Sequence, residues 1–177
     1  MRLASIACAA GAVSGAARAQ EVFVGAFEHG TNLHIGAGDE EEGIDAQLGF
    51  RTEPLGRRIL FGRPRAYGFV SINTSSDTNF AAAGLLWSRD FGSRLYGQAG
   101  VGLAIHDGAV NRADTKGNPN KIVFGSRVLF APELGLGWRI SRRLALEASY
   151  VHVSNAHIWT DVNPGMDDVG ARLVYQW

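Results

Sequence analysis

The chain has 177 residues, with 17 Lys and Arg, 17 Asp and Glu and a single cysteine, which suits one domain of ordinary size. Balanced charge gives no reason to expect a nucleic-acid partner, and one cysteine excludes a disulfide framework. Past the N-terminal segment no run of about 18 uncharged apolar residues occurs, so no membrane helix is expected.

The first residues, "MRLASIACAAGAVSGAARAQ", carry Arg2, an Ala-rich apolar stretch and the small-x-small site Ala17-Arg18-Ala19. They read as a secretory signal peptide over residues 1–19, cut before Gln20, and are too short to span a bilayer. A buried helix fits poorly with so many glycines and so little Leu. Cys8 lacks a Leu three residues before it, so a lipoprotein site is not expected. The mature domain, residues 20–177, then has 15 basic and 17 acidic side chains and no thiol. An exported chain of this kind is either soluble or a membrane β-barrel.

Eight candidate strands follow, at 21–29, 42–51, 64–73, 78–90, 93–106, 122–140, 142–154 and 167–177. In the fifth, Leu95, Ala99, Val101, Leu103 and Ile105 share one parity, while Tyr96, Gln98, Gly100, Gly102, Ala104 and His106 take the other. In the sixth, Ile122, Phe124, Val128, Phe130, Leu134, Leu136, Trp138 and Ile140 share a face opposite Arg127, Glu133, Gly135, Gly137 and Arg139. Each segment therefore has one greasy face and one polar or small face. A soluble sandwich also alternates. Long runs, a Gly-rich small face, aromatics such as Trp138 and Tyr150 near the ends of the apolar faces, and the C-terminal "ARLVYQW" tip the balance. Together they predict an all-β fold, an eight-stranded antiparallel transmembrane barrel in the outer membrane of a Gram-negative bacterium. "SRDFGSR" and "ISRR" make short periplasmic turns, and 30–41, 107–121 and 155–166 are longer outer loops. The stretch 51–64 is long on the short side.

The acidic run Asp39-Glu40-Glu41-Glu42 reads as a solvated loop rather than a cation site beside lipid phosphates. His29, His34, His106 and His157 show no spacing that gathers three or four metal ligands. "GAGDEEEG" lacks the ending of a phosphate loop. Glu133, Glu147, Arg127 and Arg139 on lumen parity read as a structural polar core, because a small barrel fills its interior with side chains.

"YVHVSNAHIW", residues 150–159, extends the lipid-facing parity of Leu144, Leu146, Ala148 and Tyr150 into His152 and Ser154. Residues i and i+2 on a strand face the same way about 6.6 Å apart, so an imidazole can activate a hydroxyl there. Such a pair needs a third group to orient the ring, and Asp167 has outward parity when counted back from Trp177. Ser154 stands 11 residues beyond Arg143, and Asp167 stands 10 before the C-terminus. At about 3.3 Å per residue and ~40° tilt, both rise ~25–28 Å above the inner rim. The plainer reading of these polar residues is an interfacial girdle.

"HVSNA" followed by "NPGMDD" and a strand ending in an aromatic resembles the lipid A 3-O-deacylase family, the PagL type of outer-membrane esterase. The distinctive match covers about 152–177. The resemblance implies an eight-stranded barrel whose catalytic triad lies on the outer wall. His152 and Ser154 then match base and nucleophile, while Asn155 and Asn163 match positions for oxyanion or loop support. The family's acid is Glu; Asp167 stands in its place after a loop one residue longer, with Asp168 the alternative on lumen parity. His157 stands where Gly is usual. The implied reaction is hydrolysis of the 3-position hydroxyacyl ester of lipid A (the anchor of lipopolysaccharide) within the bilayer, with no metal or organic cofactor. Two other readings remain open: a non-catalytic structural or adhesion barrel, and a small pore.

Overall fold

The computed structural model describes residues 20–31, 41–115, 118, 120–158 and 160–177. The expected signal peptide, His34, Asp39 and Glu40 lie outside the described residues. The strands are β1 (Glu21–Glu28), β2 (Ile44–Pro54), β3 (Arg65–Asn73), β4 (Phe80–Asp90), β5 (Leu95–His106), β6 (Val128–Phe130), β7 (Glu133–Arg139), β8 (Leu144–Val153) and β9 (Met166–Gln176). Neighbouring strands run antiparallel in the order β4-β3-β2-β1-β9-β8-β7-β5, and β4 pairs with β5 to close the ring. Glu21 pairs with Gln176 and Glu28 with Val169, so the two ends of the chain form one seam.

β6 and β7 are one stave of an eight-stranded barrel. Leu103 faces Phe130 and Gly100 faces Glu133, so the register runs unbroken through Ala131 and Pro132. Proline has no N–H to give to the ladder, and its carbonyl still accepts from His152 N at 3.0 Å. The sequence-based strand 122–140 is corrected at its start. Ile122 and Phe124 are buried under the loops, not lipid-facing. Arg127 lies before the strand and donates to the carbonyls of His106 and Gly108, not into the lumen. The long inner stretch is shortened by β2, which runs on to Pro54, and by a small hairpin with a bridge from Ile59 to Gly62.

The outward faces are apolar. Leu48, Phe50, Ile72, Val101, Leu103, Ile105, Leu134, Leu136, Trp138, Leu146 and Leu173 are all exposed, as expected of a wall bathed in hydrocarbon. Inside, Phe23, Phe27, Tyr67, Phe69 and Phe80 are buried. The Arg172 guanidinium lies 4.6 Å from the Phe23 ring centroid and 5.1 Å from that of Phe69. Glycines make room for these rings: a Cβ on Gly137 would meet Tyr96 at 2.1 Å. The Gly-rich face is the inner one because bulky neighbours lie across it.

Charges in the lumen are paired. Glu147 accepts from both Arg51 terminal nitrogens at 2.8 and 2.7 Å, from Tyr96 at 2.6 Å and from Gln98 at 2.7 Å. Arg172 donates to Glu133 at 3.0 Å and to Gln47. Glu21 bridges Arg51 and Arg65 near the inner rim. Packed side chains fill the bore, so the geometry does not favour a pore. Glu147→Ala leaves Arg51 buried without its bidentate partner, and is expected to cost about 3–5 kcal/mol. Urea unfolding of the refolded barrel, followed by heat-modifiable gel migration, measures that loss.

Candidate functional site

β8 and β9 bring the polar residues together by register. His152 pairs directly with Asp167, and Val151 with Asp168. Since successive side chains face opposite sides, His152 and Asp167 share the outer face while Asp168 turns to the lumen. Asp167 Oδ1 lies 2.6 Å from His152 Nδ1. The shorter side chain of Asp therefore reaches the ring. Asp168 instead accepts from Gly30 N at 3.4 Å and faces His29.

Asp167 is fully buried although it points outward. The Tyr150 hydroxyl donates to its Oδ1 at 2.7 Å. Thr31, just past β1, holds the Asp167 carbonyl through its backbone N–H at 2.7 Å and its hydroxyl at 3.1 Å. Tyr150 and His152 thus meet the same carboxylate oxygen, and the contact fixes the orientation of the imidazole. Tyr150 was legible only as a girdle aromatic. Its position two residues before His152, on the same face, is the signal for a larger role.

Ser154 follows His152 on that face and is 8% exposed. Its backbone exchanges hydrogen bonds with Phe130 at 2.7 and 3.1 Å, so the end of β8 is fastened to β6. Beyond it the loop is held by asparagines. Asn155 Nδ2 donates to the carbonyls of Phe124 and Val162, Asn155 Oδ1 accepts from His157 N, and Asn155 N donates to Asn163 Oδ1 at 2.7 Å. Of the two roles expected for Asn155 and Asn163, the geometry supports holding the loop. Ala156 and His157 both have positive φ, 53° and 56°, a backbone region that glycine enters at least cost; this accounts for a Gly at the position of His157 in the pattern above.

Gly165 closes the loop with φ of 72°, and a Cβ there would lie 2.9 Å from His152 Cε1. The bare glycine forms a wall of the imidazole's slot. Below Tyr150, a groove of about 860 Å³ runs down the outside of the barrel. Ala99, Leu134, Leu136, Ala148 and Val169 line it, with Phe61, Trp87 and Phe91 at its inner end. Of the polar cluster only Tyr150 lines this groove, whose mostly apolar wall also carries Arg63 and Arg89.

Comparisons with known proteins match the barrel. The family model described as lipid A 3-O-deacylase (PagL) matches residues 47–176. Among solved structures, the crystal structure of the outer membrane enzyme PagL superposes with a TM-score of 0.66 at 13% identity, covering 88% of this chain and 98% of that one. A de novo designed transmembrane β-barrel superposes with a TM-score of 0.57 at 15% identity, covering 93% of this chain and all of that one. A search of curated proteins finds no match.

Gly165→Ala is expected to displace the His152 ring and break its contact with Asp167. In a barrel labelled with ¹⁵N-histidine, the His152 Nδ1–H resonance should be lost or shifted upfield. An unchanged resonance would mean that the slot tolerates a methyl group.

Proposed function

The chain belongs to the lipid A 3-O-deacylase (PagL) family, and on that premise we propose that it cleaves the 3-position ester of lipid A with a Ser154–His152–Asp167 triad on its outer wall. It acts in the outer membrane of a Gram-negative bacterium, on an acyl chain already lodged in the lipid. The observation that carries this reading is the 2.6 Å contact between His152 Nδ1 and the buried Asp167, on the face to which strand parity also assigns Ser154. A non-catalytic structural or adhesion barrel gives no reason for a buried outward carboxylate to serve an imidazole.

In the first half-reaction Ser154 Oγ attacks the ester carbonyl carbon while His152 Nε2 removes its proton. The Nδ1–H stays on Asp167, which holds the ring and stabilises its cationic form. Collapse of the tetrahedral intermediate breaks the bond to the sugar oxygen, and His152 returns the proton to that leaving hydroxyl. Water, activated by the same imidazole, then hydrolyses the acyl-serine and frees a 3-hydroxy fatty acid. Tyr150 positions Asp167, and Gly165 shapes the slot of His152. Asn155 and Asn163 keep the loop beside the serine folded. The groove below Tyr150 receives the acyl chain from the side, so the substrate never enters the lumen.

Ser154→Ala and His152→Ala should each lower deacylation by roughly three or more decades, and the double variant should be little worse than either, because nucleophile and base act as one unit. Mass spectrometry of lipid A from cells expressing each variant reads the loss of the hydroxyacyl chain. Wild-type deacylation by Ser154→Ala would end the assignment of the nucleophile.

Asp167→Asn keeps the shape but removes the charge that stabilises imidazolium, and is expected to slow turnover by about two to four decades. Asp167→Glu restores a carboxylate and should retain substantial activity. Both are compared on refolded barrels with matched circular dichroism. Equal rates for Asp167→Asn and the parent protein would remove Asp167 from the mechanism.

A further inference from the structure

Behind Asp167, at the outer end of the lumen, His29, Glu41, Asp45 and Asp168 converge, and each is at most 2% exposed. Glu41 thus departs from the solvated loop expected of its acidic run. Its Oε2 lies 3.2 Å from His29 Nε2, and its carboxylate also accepts from the backbone amides of Thr78 and Ile122. With Glu41 against Nε2, the other ring nitrogen, Nδ1, is turned to the cluster. Nδ1 stands 2.9 Å from Asp45 Oδ1 and 3.8 Å from Asp168 Oδ1. Among the described residues, neither His29 Nδ1 nor Asp168 Oδ2 has a hydrogen-bond partner.

A buried ring nitrogen facing two carboxyl groups calls for positive charge between them. A proton on Nδ1 supplies such charge, but the contact with Asp45 lacks hydrogen-bond alignment and Asp168 Oδ2 remains unsatisfied. We propose that His29 Nδ1 and the carboxylates of Asp45 and Asp168 bind a divalent first-row transition cation, with Glu41 as the outer carboxylate that orients the imidazole. One ligand atom from each residue lies within 4.8 Å of the others, a spacing that bonds of about 2.0–2.2 Å bridge after small side-chain shifts. One imidazole and two carboxylates suit Zn²⁺, Mn²⁺ or Fe²⁺ better than Ca²⁺, which prefers six or more oxygens. A carboxylate on the far ring nitrogen is the usual second partner of a metal-bound histidine. Ser71 and Asn73 hold Asp45 at 2.7 and 3.0 Å, so this ligand is preset.

The three ligands come from adjacent staves. His29 follows β1, Asp45 opens β2 and Asp168 lies on β9. The cation therefore clamps the seam between the two ends of the chain and fixes the segment that carries Asp167 on its other face. The site stands whether or not the barrel is an esterase.

The test uses the purified barrel, stripped with EDTA, exposed to Zn²⁺ and desalted before metal analysis by mass spectrometry. The parent protein should retain about one zinc per chain and lose heat-modifiability at a higher temperature than the stripped form. His29→Gln and Asp168→Asn should retain less than about a tenth of that zinc. If these variants fail to refold, Co²⁺ added to the parent barrel still decides the matter: visible d–d bands that Zn²⁺ abolishes, together with a zinc-dependent shift of the His29 Nδ1 resonance, are expected. No retained zinc, no cobalt bands, or retention that His29→Gln leaves unchanged would overturn the site and leave His29 as a buried imidazolium.

Discussion

A strand in hydrocarbon has no water to satisfy its backbone, so every N–H and C=O must find a partner on a neighbouring strand. The eight-residue ladder between β1 and β9, from Glu21↔Gln176 to Glu28↔Val169, meets that demand by joining the two ends of the chain. Once the ring is closed its register is set, and register decides which side chains meet. His152 opposes Asp167 because Leu144 opposes Tyr175 eight residues below. A slip of one residue would turn every side chain of a strand to the other face and put Asp168 beside the imidazole. The pairing of His152 with Asp167 is a consequence of closure.

Closure in turn depends on a filled bore. Two buried guanidinium groups, Arg51 and Arg172, stand among Phe23, Phe27 and Phe69, and each has a carboxylate partner. Unpaired, either would carry a large desolvation cost. The pairs also cross the barrel: Arg51 on β2 meets Glu147 on β8, and Arg172 on β9 meets Glu133 on β7. These contacts hold staves that are not neighbours at fixed distances, which the ladder alone does not do. The wall bearing His152 is thereby rigid from behind, while its front faces lipid.

Much of this was legible in the sequence because period-two alternation is a direct image of the pleat. Strand positions were legible to within a few residues, except at the start of the sixth stave. Ile122 and Phe124 continue the parity of Val128 and Phe130, and parity cannot distinguish a lipid-facing residue from one buried under a loop. Pro132 interrupts the ladder but not the count, so the stave reads as continuous, as its register is. The contact of His152 with Asp167 was legible through parity and resemblance. Tyr150 and Gly165 were not, because one passes for a girdle aromatic and the other for a turn residue. Least legible was the His29 cluster. Its members lie just past β1, before and within β2, and on β9, so no local spacing announces it, and only the topology gathers Glu41 out of what looks like a solvated acidic run.

The alternation of Asp167 and Asp168 gives the outer end of the wall two faces with opposite demands. Outside, Asp167 meets the His152 imidazole and is held by Tyr150 and Thr31. Inside, Asp168 joins a buried cluster of carboxyl groups around His29. Consecutive peptide units connect the two, and a shift of the backbone at 167–168 moves both carboxylates at once. The charge balance behind the wall therefore bears on the geometry in front of it.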